Sequence, residues 1–120
     1  MVIYTLQLAK WRVARDQGIE LIDITVKSGE VAFAPTWEMV LGIKQGTLSE
    51  AEYRKQYIAL MRESYHAHTA SWEALMGKEA FALGCYCREG HFCHRHILKE
   101  MLLWLAHQRH LPCSDGGEIY

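Results

Sequence analysis

A chain of 120 residues, half of them hydrophobic and 22% charged, has the composition of one globular domain with a real core. Its formal net charge of -1 excludes an overall electrostatic drive toward nucleic acid, which leaves a local basic patch as the only way to meet one. No apolar run approaches the roughly 18 residues of a membrane helix, and the first residues lack the basic start and long apolar core of a secretory leader, so no membrane partner is expected.

Met1–Gln7 is apolar and rich in β-branched residues and predicts a buried strand. Leu8–Gln17 has helical spacing, with Gly18 as its stop. Ile19–Val26 predicts a second strand, interrupted near its end by Asp23. Lys27–Pro35 is a loop, because Pro35 excludes helix at Ala34 and suits the first turn of a helix after it. A short helix over Thr36–Lys44 closes near Gly46. Ser49 to Glu52 forms a capping box, and behind it Tyr53, Tyr57, Leu60, Met61 and Ser64 recur on one face of a helix over Glu50–Tyr65. Thr69–Met76 predicts another helix, Phe81–Tyr86 a third strand and Cys93–Arg109 a last long helix. That helix carries Leu103 and Trp104 beside its core stripe and so is expected to be buried on more than one side. The tail after Pro112 suggests a short edge strand at Glu118–Tyr120. Strands alternating with helices predict a single α/β domain over residues 1–120, with a small, mostly parallel sheet flanked by helices.

Phe81–His96 holds three of the four cysteines, three of the seven histidines and two arginines. Such crowding suits a reduced thiol or metal site better than a disulfide framework, and a reducing cytoplasm is the expected compartment. Ligands of parallel sheets bind outside the carboxyl ends of the strands, where Asp23–Thr25 and Cys85–Arg95 would converge if their strands are neighbours. Cys85 and Cys87, two apart in a strand, would share a face. Cys93, His94 and Arg95 are expected in the first turn of the last helix, whose free amides and dipole favour an anion and would lower the pKa of a Cys93 thiol.

Four readings of this junction compete. In the first, the junction binds a phosphorylated or nucleotide-like small molecule and carries groups able to process it. Arg95, Arg88 and Lys27 meet the anion, Thr25 and Cys87 line the cleft, Asp23 orients or activates a hydroxyl or water, Cys93 is reactive, and His94 moves a proton near neutral pH. In the second, Cys85, Cys87, Cys93 and His94 or His96 hold zinc in a domain that contacts nucleic acid, although C-x-C is tighter than the usual knuckle. In the third, Cys87 opens a cysteine-nucleophile loop like that of rhodaneses, but Phe92 and Cys93 stand where that loop needs its arginine. In the fourth, the cysteines only pack. Asp23 has its own plain alternative as a strand-end cap. Tyr53, Tyr57, Tyr65, Trp37 and Trp72 are better read as packing than as stacking groups.

Phe33–Trp37 (FAPTW), Ser49–Tyr53 and Cys85–Leu98 (CYCREGHFCHRHIL) together resemble the family called domain of unknown function 488, over roughly Ile19 to Glu118. Cys93-His94-Arg95 is its most specific mark, accompanied by Asp23-Ile24-Thr25 and by Gly117-Glu118. The resemblance implies a compact α/β fold with these residues at one site, in small bacterial or phage proteins, and a place in nucleotide or nucleic-acid metabolism. It supplies no reaction. Thr25 stands where an arginine often follows the aspartate, so an anion contact would pass to Arg88 or Lys27.

Overall fold

The first strand, β1 (Val2–Gln7), lies inside the sheet rather than at its edge. A computed structural model describes residues 1–88 and 91–120. After β1 a 3-10 turn (Leu8–Lys10) leads into α1 (Trp11–Asp16), and Gly18 in the left-handed region turns the chain into β2 (Glu20–Asp23). Next come α2 (Trp37–Gln45), α3 (Glu50–Ala67), α4 (Thr69–Met76), β3 (Ala80–Cys85), α5 (His94–Gln108) and β4 (Ser114–Ile119). The strand order is β2-β3-β1-β4 and every pairing is parallel, an α/β architecture. The chain leaves β1 toward one edge and β3 toward the other. These two neighbours end together, with Gln7 opposite Cys85. Open parallel sheets take ligands where adjacent strands diverge in this way.

Each face of the sheet is covered. Leu6, Ala82 and Ile119 pack with Ala14 of α1 on one side. On the other, Ile3, Phe81 and Leu83 meet the buried residues of α2–α5. Alternation along β3 therefore sends Phe81, Leu83 and Cys85 toward α5. Side-chain caps set the starts of α2 and α3, the second where the Ser49 capping box implied one. The Thr36 hydroxyl accepts from Met39 N at 3.2 Å, the Ser49 hydroxyl accepts from Glu52 N at 3.1 Å, and Gly46 (φ 73°) ends α2. The expected stripe of α3 is buried through Tyr53, Tyr57, Met61 and Ser64. Tyr57 donates to the carbonyl of Phe33 at 2.7 Å, and Ser64 Oγ, which accepts from Trp72 Nε1 at 3.0 Å, donates to the carbonyl of Ala32, which pins the 3-10 turn Val31–Phe33 ahead of α2.

Four expectations need correction. The second strand ends at Asp23, because the carbonyls of Asp23 and Thr25 accept from Glu30 N and Gly29 N and fold the chain back. Cys93 is the cap before α5, in extended backbone, and not in the helix's first turn. Trp104 is 63% exposed, since α5 buries only the side carrying Ile97, Leu98, Leu102 and Ala106. The edge strand starts four residues earlier than expected. Its Gly116 lies flat against the Tyr4 ring, where a Cβ would come within 2.5 Å, so weak strand formers pair with β1 through close backbone approach. Among the described residues no helix is long and apolar enough to cross a membrane.

Candidate functional site

β2 and β3 are neighbours, with Asp23 opposite Gly84, and the segments beyond them do converge. They open onto a cavity of ≈ 520 Å³ at the carboxyl edge of the sheet. The loop after β2 supplies Thr25, Val26 and Lys27; α2 supplies Trp37, Val40, Ile43 and Lys44; α3 supplies Tyr53. Cys85, Tyr86, Cys87, Phe92, Cys93 and His94 complete the lining. The Phe92 and Tyr53 rings meet edge to face at 5.3 Å. Trp37, expected to pack, instead stands 52% exposed on this wall. A larger, more open depression of ≈ 710 Å³ lies along β2 and α4, and no cysteine lines it.

Arg95 holds the junction together. Its side chain is wholly buried. Nη1 donates to Cys85 Sγ and to the Cys87 carbonyl, each at 2.9 Å, and Nη2 donates to the Arg88 carbonyl at 3.4 Å. Nη2 and Nε also donate to the Glu118 carboxylate, at 2.8 and 3.3 Å. The guanidinium expected to meet a ligand anion thus already has its anion, from β4. Burial pushes the Glu118 carboxyl up, but hydrogen bonds from Arg95 and Thr5 and the Arg95 charge outweigh it and hold it below the usual carboxylate range.

Cys85 and Cys93 are buried with their sulfurs in contact. Their Cα atoms stand 7.8 Å apart. Disulfides usually span about 4.4–6.8 Å between Cα atoms, so this separation is wide for a bonded pair and leaves room for an ion between the two sulfurs once they are reduced. His94 sits beside them. Its Nε2 is 2.7 Å from the Ile24 carbonyl, which can only accept, so Nε2 carries the proton and the lone pair is on Nδ1, 3.7 Å from Cys93 Sγ. Burial lowers the His94 pKa to about 4, against a partial rise from the Ile24 carbonyl. The expected proton shuttle near neutral pH is therefore a neutral imidazole there, fixed in one tautomer as a lone-pair donor. Cys87, expected on the same face as Cys85, lies beyond the strand end, exposed and free.

Asp23 serves the loop. One carboxylate oxygen accepts from Thr25 N at 2.9 Å and Thr25 Oγ1 at 2.8 Å, and the other accepts from Ser28 Oγ. Ser28 Oγ in turn lies 2.9 Å from Tyr86 Oη, tying this loop to the end of β3. Thr25 is buried and lines the cavity; Asp23 braces it from behind. Gly29 closes the same turn, and a Cβ there would lie 2.5 Å from Thr25 N and nearer still to the Asp23 carbonyl oxygen. Backbone cannot give way as a side-chain end can. Gly29→Ala is expected to cost about 1–3 kcal/mol in urea unfolding; a variant as stable as the parent would mean the turn is not held in this form.

Lys27 and Lys44 are exposed on the cavity, and among the described residues neither forms an ion pair. Arg88 is exposed too, and its carbonyl, not its guanidinium, touches the cluster. Glu89 and Gly90, in the middle of the Cys87–His91 segment compared with rhodanese loops, lie outside the described residues. Of the residues that shape the site, Ser28, Gly29, Tyr86 and Lys44 are absent from the set that the sequence singles out. The Ser28-Gly29 dipeptide is a turn signal for the first two; Lys44 has none, since only the docking of α2 brings it in.

No curated protein and no solved structure matches the chain. A family model does match, over residues 7–105, a span that takes in both strand ends, α2, α3 and the Cys93-His94-Arg95 triplet. With most of its length so matched, and with the DUF488 resemblance of its motifs, the chain belongs to the DUF488-N3a family, described as the active DUF488-N3 subclade.

Proposed function

We propose that the cavity binds a nucleotide-like, phosphorylated small molecule. The observation that carries this reading is its composition: apolar and aromatic walls with two lysines on the lining, Lys27 and Lys44, that form no ion pair among the described residues. Trp37 and Phe92 offer surfaces against which a planar base loses water, and the ammonium groups suit a phosphate as point charges. The phosphate falls to these lysines because Glu118 occupies Arg95. Thermal shift against nucleoside mono- and diphosphates and inorganic phosphate tests it. At least one nucleotide is expected to raise Tm more than phosphate does, and Lys27→Glu with Lys44→Glu to weaken its binding by about tenfold or more. No shift with any nucleotide sinks the reading.

A second reading, zinc binding, rests on Cys85, Cys93 and His94, whose candidate ligand atoms all lie within 4.8 Å of one another. Thiolate and imidazole donors suit this ion, and a metal would sit at the cavity wall, not in place of it. Elemental analysis of protein purified without chelator tests it: one equivalent of zinc supports the site and none removes it.

A further inference from the structure

We infer that the metal site is an open one: among the described residues Cys85, Cys93 and His94 are its complete set of protein ligands, and the fourth position is taken by a small oxygen or nitrogen donor that enters through the cavity. This rests on the zinc reading and goes beyond it by separating a site that meets a ligand from a closed structural knuckle.

Three observations support three ligands rather than four. Cys87, the nearest further thiol in sequence, is exposed and lies outside the group whose ligand atoms converge within 4.8 Å. It lies past the end of β3, where the strand no longer directs alternate side chains inward, and its carbonyl is held by Arg95 Nη1 at 2.9 Å. Two of the three converging residues, Cys85 and His94, are braced from the protein side. Cys85 Sγ accepts from Arg95 Nη1 at 2.9 Å. His94 donates through Nε2 to the Ile24 carbonyl at 2.7 Å, which leaves Nδ1 as the metal-facing nitrogen. The Tyr57 ring packs edge to face on His94 at 5.3 Å. Partners of this kind orient metal ligands and set the tautomer. The hydrogen bond from Arg95 Nη1 would also favour Cys85 as a thiolate beside the metal.

Cys85, Cys93 and His94 all line the cavity, while the protein behind them is filled by Arg95, Ile24 and Tyr57, all buried. A tetrahedral ion held by three such donors presents its remaining position to the cavity. Zinc sites with three protein ligands use that position for water or substrate. The ligand class is therefore a small hard or borderline donor: water, a phosphate oxygen, or a ring nitrogen.

Cobalt(II) substitution in fully reduced protein tests this, with the metal and imidazole as the probes. Intense tetrahedral d–d bands and a thiolate-to-cobalt charge-transfer band are expected. The Cys87→Ser protein should keep both unchanged, Cys93→Ser should lose about half the charge-transfer intensity, and added imidazole should shift the d–d bands. If Cys87→Ser also lowers the charge-transfer band and imidazole leaves the spectrum unmoved, the site is closed by a fourth protein ligand and the inference is overturned while the metal reading stands. If reduced protein with native circular dichroism gives no tetrahedral cobalt spectrum, the metal reading itself fails. Imidazole response and nucleotide thermal shifts are separate readouts, so failure of one is distinguishable from failure of the other.

Discussion

Glu118→Ala is expected to destabilise the protein by about 3–5 kcal/mol, because it leaves a buried guanidinium without its counter-charge. Arg95 has 0% of its side chain exposed and Glu118 11%, and both carboxylate oxygens of Glu118 face Arg95 nitrogens. Among the described residues the remaining acceptors around Arg95 are two carbonyls and a sulfur, which satisfy donors but carry no full charge when Cys85 is a thiol. The pair also has a positional task. It fixes the first turn of α5 to β4 and, through Nη1, to the end of β3. Arg95→Lys should not restore the wild-type value, since one ammonium cannot reach carboxylate, sulfur and two carbonyls in the planar arrangement a guanidinium offers. The internal control is Arg54–Glu100, a pair of similar length (2.7 Å) with 47% and 57% of the side chains exposed. Its removal is expected to cost under about 1 kcal/mol. Urea midpoints at neutral pH and unchanged slope measure both. Equal losses at the two pairs would show that burial does not govern the Arg95 pair.

That pair also marks the limit of what is legible in the sequence. The helices and the central strands are legible because burial imposes a period on Tyr53, Tyr57, Met61 and Ser64 and a continuous apolar run on Phe81–Cys85. Their parallel pairing is implied by alternation. The convergence of the two strand ends depends on β2 and β3 being neighbours, and in the sheet they are. The hidden part depends on contacts between distant segments. Arg95 reads as free for a ligand because its partner lies 23 residues on, in a strand whose Ser114–Gly117 portion has no apolar pattern. Cys87 reads as sharing a face with Cys85 because nothing local says that extended backbone stops at Cys85. Asp23 reads equally as a base or a cap; the hydroxyls of Thr25 and Ser28, both within five residues, are the local clue to the brace. His94 is placed correctly at the junction, but its burial, and so its titration, comes from the packing of Tyr57 and the Ile24 carbonyl.

As pH falls from 6.5 to about 4, metal-free, reduced protein is expected to lose about 3 kcal/mol of stability through His94 alone. The group's folded pKa is lowered from 6.5 to about 4, chiefly by burial. At about 1.4 kcal/mol per pH unit, that interval gives the magnitude. The sign is set by which state binds the proton first. Above pH 6.5 both states hold a neutral imidazole and His94 contributes no pH dependence. Below it the unfolded chain takes up a proton that the folded site resists, so unfolding is favoured more with each step down, until the folded site protonates too near pH 4. Glu118 acts in the same direction but lower. Its folded pKa is depressed, so its stabilisation is complete above the unfolded carboxylate range and is lost as pH falls through the folded value. His96, half-buried with a pKa lowered first by its burial and then by the Arg95 charge, adds to the upper stage. The difference between wild type and His94→Gln isolates the His94 contribution, because a glutamine amide can still donate toward the Ile24 carbonyl but does not titrate. Urea midpoints at half-unit steps should show wild type falling toward the variant's behaviour across this window, with the two curves parallel above pH 7. Parallel curves throughout would mean that His94 is not held neutral and buried. The same experiment repeated with one equivalent of zinc should raise the wild-type curve at neutral pH and leave His94→Gln nearly unmoved, since an imidazole lone pair held in place by Ile24 is what the ion would take.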